Sequence, residues 1–213
     1  MSIRILRSGE VELVVPRRCS KDSALRFLSQ KAGWVLRMLD DRGRRAGAEP
    51  PPWPAGLRTW SLVPWRGLQR ELVIEPVEEG NPEVRFDGVF AVLSPPDSTP
   101  EDVSAALRSW MRDTLASEAG SLAERYAGIL GLPAPRVRVR EMRTLWGSCG
   151  STGVITVNWH LAFLPAEALE YTVAHEVCHL RVRGHGRNFW SLLESVMPDY
   201  GRAKLLLGGG PPR

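Results

Sequence analysis

Three of the four histidines in the chain fall within eleven residues, as His175-Glu176-Val177-Cys178-His179 followed by His185. At about 3.6 residues per turn, His175 and His179 would lie one turn apart on one face of a helix. Their imidazoles can then meet a single ion at about 2.0–2.1 Å without bending the backbone. Glu176 is rotated about 100° from His175, beside such an ion, where its carboxylate can act as a base toward a water molecule held there. A catalytic zinc takes three protein ligands and leaves a fourth position open. His185 is the natural third ligand, because Gly184 can end the helix and turn the chain back toward the ion. Glu194, on a later helix, is its rival. A lone histidine on this helix would read more simply as a hydrogen-bonded core residue. A histidine triplet with an embedded glutamate points instead to Zn2+ held by His175, His179 and His185, with Glu176 as the catalytic base.

The chemistry expected of such a set is metal-assisted hydrolysis, most simply of a peptide bond, with a peptide or protein as substrate. Glu176 would take a proton from the attacking water and pass it to the leaving amine. Two other functions fit parts of the pattern. The same site can hydrolyse a nucleotide phosphoanhydride, with arginines on the phosphates, although no glycine-rich phosphate loop is present. A non-catalytic, zinc-stabilised binding module would need four protein ligands, and the sequence offers no obvious fourth nearby.

The elements that must position these residues can be read from pattern and punctuation. Residues 3–7 and 10–15 read as strands around a Ser8-Gly9 turn, and Ser20 caps a helix running to about Leu39. Residues 43–56, rich in proline, glycine and arginine, form a loop or linker. Strands are expected near 57–63 and 69–76, then at 83–86 and 89–93 around Asp87-Gly88, a two-residue hairpin signal. Thr99-Pro100-Glu101-Asp102 starts a helix that runs to Leu130, where Gly131 and Pro133 stop it. Alternation over 136–142 and 154–158 predicts two strands, separated by a Trp146-to-Gly150 loop. Pro165 opens the helix that carries the histidines, and a last helix covers 187–197. The expected organisation is a strand-rich region with one helix over 1–98, a catalytic region over 99–207 and a frayed tail over 208–213.

With 213 residues, 43% hydrophobic and 24% charged, the composition is that of a globular protein able to bury a core. No run approaches the roughly 20 apolar residues needed to cross a bilayer, and the amino terminus lacks the apolar core of a signal peptide. Three scattered cysteines, Cys19, Cys149 and Cys178, argue against a disulfide framework and suit a reducing cytoplasm. A net charge of +4 is too small to indicate nucleic-acid binding.

Around the histidines the sequence resembles the YgjP-like metallopeptidase family, related to the SprT group. The resemblance covers Val137 to about Tyr200. It rests on Trp146-Gly147-Ser148-Cys149, on residues 154–159 (Val-Ile-Thr-Val-Asn-Trp), on the His175-to-Leu180 run with Gly184-His185, on Phe189-Trp190 and on Pro198-Asp199-Tyr200. Leu145 stands where the family has an arginine. The resemblance implies an α+β, zincin-like fold, with a small twisted sheet over the histidine-bearing helix and a mainly-β region preceding it. It also implies an edge strand lining the cleft, for which residues 153–158 are the candidate, and it gives His175, His179 and His185 as ligands and Glu176 as base. Asn158, His160 and Cys178 are read first as structural residues, and Asp199 equally as a partner to a ligand histidine or as a cap for the turn after Pro198.

Overall fold

The computed structural model describes residues 1–5, 11–15, 19–21, 23–25, 27, 31 and 53–208, which fall into two compact units, Met1–Ala48 and Glu49–Arg213. In the first unit β1 (Ser2–Ile5) pairs antiparallel with β2 (Val11–Val14), Ser2 opposite Val14 and Ile5 opposite Val11. This is the expected strand pair, and its Ser8-Gly9 turn lies outside the described residues. The Ser20 hydroxyl accepts from the Ser23 N–H at 3.2 Å, as an N-cap does, and Lys21, Ser23, Ala24, Leu25, Phe27 and Lys31 are helical. The rest of that predicted helix, most of the predicted linker and the last five residues lie outside the described residues.

The second unit begins its regular structure with a hairpin of β3 (Leu62–Trp65) and β4 (Leu68–Pro76), Trp65 opposite Leu68. The two residues between them, Arg66 and Gly67, have φ of 52° and 76°, the positive pair that a tight two-residue hairpin turn demands. The first strand starts later than the expected 57–63 because Trp60, at φ 71°, interrupts the extended run. β5 (Glu83–Phe86) and β6 (Phe90–Ser94) complete a sheet of order β3-β4-β6-β5, in which β4 and β6 run parallel. Phe86 lies opposite Phe90, so this hairpin closes through three residues, 87–89, rather than the two expected.

Helix α1 (Pro100–Ile129) is fixed at both ends by the chemistry of its caps. The Thr99 hydroxyl accepts from the Asp102 N–H at 3.3 Å while the Asp102 carboxylate accepts from the Thr99 N–H at 2.8 Å, a reciprocal capping box. At the other end Gly131, at φ 64°, lets its N–H donate to Gly128 and the Leu132 N–H donate to Ala127, which closes the last turn. Between the caps, Val103, Leu107, Met111, Leu115, Ala119 and Ala123 repeat every four residues and are buried to the last contact. That stripe forms the spine of one core, with Leu72, Phe90 and Val92 from the sheet and Leu169 and Val173 from the helix that carries the histidines.

A second, three-stranded sheet has the order β7-β9-β8: β7 (Val137–Arg140) is parallel to β9 (Ile155–Asn158), and β8 (Gly147–Cys149) is antiparallel to it. Two expectations change here. Residues 146–150 are not all loop, since Gly147–Cys149 is a strand, and the strand at 155–158 is central and cannot be the cleft edge. The free edge beside the cleft is β8. Glycine is depleted in strands and this segment has no β-branched or aromatic residue, so pairing with β9, not local preference, makes it extended.

A 3-10 turn (Trp159–Phe163) leads into α2 (Ala166–Cys178), which packs beneath β8 and β9. Then come α3 (Arg187–Val196) and a short α4 (Tyr200–Leu205), the latter unanticipated from sequence. Helix α2 ends with His179 as its C-cap, well before Gly184, which does not take a left-handed conformation. The turn after it is held by main-chain bonds from Leu180, Arg181 and Val182 back to Val177 and Cys178.

Candidate metal centre and cleft

His175 lies in the last turn of α2, His179 caps it, and His185 arrives from the loop before α3. Their Nε2 atoms converge: His175 to His185 is 2.8 Å, His179 to His185 is 3.0 Å and His179 to His175 is 3.2 Å. Among the described residues this is the group of histidine, cysteine and acidic donors gathered closely enough to share an ion, and Glu194 is not part of it.

The donor chemistry fits a cation. Each imidazole Nε2 either carries a hydrogen or offers a lone pair. Three such atoms in mutual contact make an odd ring, so whatever tautomers are chosen, one pair is donor against donor or acceptor against acceptor. Three lone pairs turned to one positive ion remove that conflict. The surrounding bonds favour this arrangement. His179 Nδ1–H donates to the Val182 carbonyl at 2.9 Å, which leaves its Nε2 lone pair facing the triad. His175 Nδ1 is 3.4 Å from the Tyr171 hydroxyl, one turn back on the same helix. Burial, with added positive charge from His179, His185 and Lys204, pushes the His175 pKa down to about 3, so this ring stays neutral. His185 is lowered too, by its partial burial and then by His179 and Lys204.

Phe189 forms the floor under all three rings. Its centroid is 4.7 Å from that of His175, 4.4 Å from that of His179, on which it stacks, and 4.8 Å from that of His185. Phe189 is fully buried. Its position four residues after His185, in the first turn of the next helix, was the signal for this further role.

Glu176 faces a cavity of about 460 Å³ whose walls include Leu145, Trp146, Gly147, Tyr171, Arg183 and Leu207 as well as the three histidines. It is 7% exposed, and burial raises its pKa to about 7, opposed by a hydrogen bond from the Cys149 N–H. A cation on the triad would draw that value down again. The approach of β8 to Glu176 is very close. A Cβ added at Gly147 would lie 2.7 Å from Thr172 Cγ2 and 2.9 Å from Glu176 Cγ and Oε1, so only glycine lets the strand pass here.

The edge of β8 has a definite polarity. Trp146 accepts from the Asn158 N–H at 2.8 Å and the Gly150 N–H donates to Val154 at 2.9 Å, so the even-numbered residues turn their backbone groups toward β9. Gly147 and Cys149 therefore turn theirs outward, to the cleft side. Asn158, fully buried, braces the approach to this strand: its amide donates to the carbonyls of Met142 at 2.7 Å and Leu145 at 2.9 Å. Trp146 is anchored by its indole N–H, which donates to the Leu207 carbonyl at 3.0 Å. His160 stands apart from the triad with its ring 3.1 Å from the Asn158 amide oxygen. Cys178 is a fully buried packing thiol. Asp199 precedes α4 without forming a side-chain cap.

No described helix is long and apolar enough to cross a membrane. No curated protein matches the chain. Among solved structures, the chain is similar to the metallopeptidase zymogen of Pyrococcus abyssi abylysin, at 30% identity and a TM-score of 0.37, over 41% of this chain and 87% of that one. The family model for the YgjP-like metallopeptidase domain matches residues 1–208. A match over nearly the whole chain, on a mixed α+β fold with a histidine cluster suited to a metal, makes this protein a member of the YgjP-like metallopeptidase family.

Proposed function

We propose that the protein is a zinc-dependent peptidase in which His175, His179 and His185 hold the ion and Glu176 is the general base. The observation that carries this reading is the convergence of three Nε2 atoms within 3.2 Å of one another on the same cavity that Glu176 lines. When bound, zinc supplies Lewis acidity, which lowers the pKa of water toward 7 and polarises a scissile carbonyl. Zinc is favoured over harder ions because three imidazole nitrogens suit a borderline-soft metal. Residues 99–207 are the catalytic region in this reading, preceded by the strand-rich 1–98. The three free thiols favour a reducing compartment, so we assign the protein to the cytoplasm.

The chain's own groups divide the remaining work. The Glu176 carboxylate removes a proton from the attacking water and returns it to the leaving nitrogen. A pKa raised by burial and tempered by a nearby cation lets it do both near neutral pH. The outward N–H and C=O of Gly147 can pair with an extended peptide laid along β8, which aligns the backbone of a substrate without reading its side chains. Phe189 and Trp146 exclude solvent below and beside the reacting centre, and Asn158 keeps the strand at its height above α2.

The test is the Glu176→Gln variant, which keeps the shape and the ligands. We expect one zinc per chain in both proteins by elemental analysis, with peptide cleavage lowered by at least about a hundredfold in the variant. Undiminished cleavage by Glu176→Gln would reject the mechanism, and a chain that takes up no zinc would reject the ligand assignment.

A further inference from the structure

Six of the described arginines away from the cleft have an ion-pair or aromatic partner, Arg70 among them over the Phe86 ring. Arg66 pairs with Glu118, Arg125 with Glu170, Arg112 with Glu141 and Arg85 with Glu83, while Arg108 lies over Trp53. Two cations are set apart by their position near the histidine triad. Arg183, in the turn after α2, lines the cavity itself. Lys204, on α4, holds its ammonium 4.8 Å from the Trp190 ring centroid, and that ring is 5.8 Å from His185 and 6.1 Å from His175. Neither has a carboxylate within ion-pair distance among the described residues. The one carboxylate on the cavity wall is Glu176, already committed to the reacting centre.

We propose that Arg183 and Lys204 make this cleft selective for substrates with a carboxylate close to the bond that is cut. The inference rests on the peptidase reading and names its substrate class. Arg183 stands on the cleft wall with Trp146 and Leu207, and positive charge there raises the local concentration of an anionic group. The planar guanidinium of Arg183 can grip a carboxylate with two parallel hydrogen bonds, whereas Lys204 contributes a point charge. The carboxylate can belong to an acidic side chain or to a free C-terminus, since the same fork recognises either.

The probes are matched heptapeptides with Glu or Gln at each position in turn, each made with a free and an amidated C-terminus. Binding is measured by fluorescence anisotropy on zinc-loaded Glu176→Gln protein, and cleavage on the zinc-loaded native chain. We expect one carboxylate placement to bind about tenfold more tightly than its neutral counterpart, with the preference fading as salt rises. Arg183→Gln should abolish that preference through KM for the charged peptide, Arg183→Lys should restore part of it, and Lys204→Met should weaken it less. Whether the internal Glu series or the C-terminal series carries the effect identifies the source. Equal binding of charged and neutral peptides, or a full preference surviving in the Arg183→Gln/Lys204→Met double variant, overturns the proposal. Discrimination in binding without any cleavage would instead leave the carboxylate site standing and remove the peptidase reading. Cleavage without discrimination does the reverse.

Discussion

Glu176 owes its position to a residue with no side chain. Gly147 lets β8 pass so close that a methyl group there would meet Thr172 Cγ2 at 2.7 Å and Glu176 Oε1 at 2.9 Å. Gly147→Ala should therefore displace the carboxylate, cutting kcat by tenfold or more, on the order of a 1 Å misplacement, while costing about 1–3 kcal/mol of stability by urea unfolding. A Gly147→Ala variant with native kcat would mean that Glu176 is not held where the chemistry needs it. Phe189 supports the three histidines in the same way. Its three ring contacts at 4.4–4.8 Å fix the imidazole planes, so Phe189→Leu should keep the fold yet weaken zinc affinity. Loss of ligand support of this kind costs roughly 10–100-fold in affinity, measurable by competition with a chelating dye. Phe189→Ala, by contrast, should cost about 3–5 kcal/mol because it also opens a cavity in the core.

At the scale of the element, the capping box ties the stability of α1 to pH. The Asp102 pKa is lowered from 3.8, first by the hydrogen bond from the Thr99 backbone and then by that from its hydroxyl. A carboxylate whose folded pKa is depressed stabilises the fold fully above its unfolded value and loses that contribution as pH falls through the depressed one. Unfolding measured between pH 5 and 2 should therefore show a decline starting near 4 that is smaller in Asp102→Asn. Equal pH dependence in the two proteins would mean the capping box does not persist in solution. At neutral pH, Thr99→Ala should cost about 1 kcal/mol through loss of the N-cap.

For the whole molecule, a metal held by the three histidines would add stability from outside the chain. An ion that binds the folded chain alone stabilises it by about 2.7 kcal/mol at a hundredfold excess over its Kd. For a domain of this size that raises Tm by roughly 5–10 °C, visible by calorimetry as a drop when a chelator is added. A His175→Ala/His179→Ala/His185→Ala variant should be insensitive to the chelator, and a persistent drop in that variant would place the metal elsewhere. The effect should spread through the second unit as a whole, because α1, the four-stranded sheet and α2 share one core.

Some of this was fixed locally and some was not. The caps of α1, the four-residue stripe along it and the pairing of His175 with His179 follow from side-chain chemistry and helical period, which act over a few residues and can be read along the chain. The YgjP-like membership was legible in the same way, from short runs around Trp146, Val157 and the histidines. By contrast, the conversion of Gly147–Cys149 into an edge strand depends on its register with β9, and the central place of β9 depends on β7 arriving from the other side. Likewise, the choice of His185 rather than Glu194 beside the other two imidazoles, the seat of Phe189 beneath them and the approach of Arg183 and Lys204 all join residues whose separation is set by packing. Sequence determines which groups can bind, donate or extend. Only the tertiary structure decides which of them meet, because close-packed contacts between distant segments are a property of the assembled core and not of any one stretch of chain.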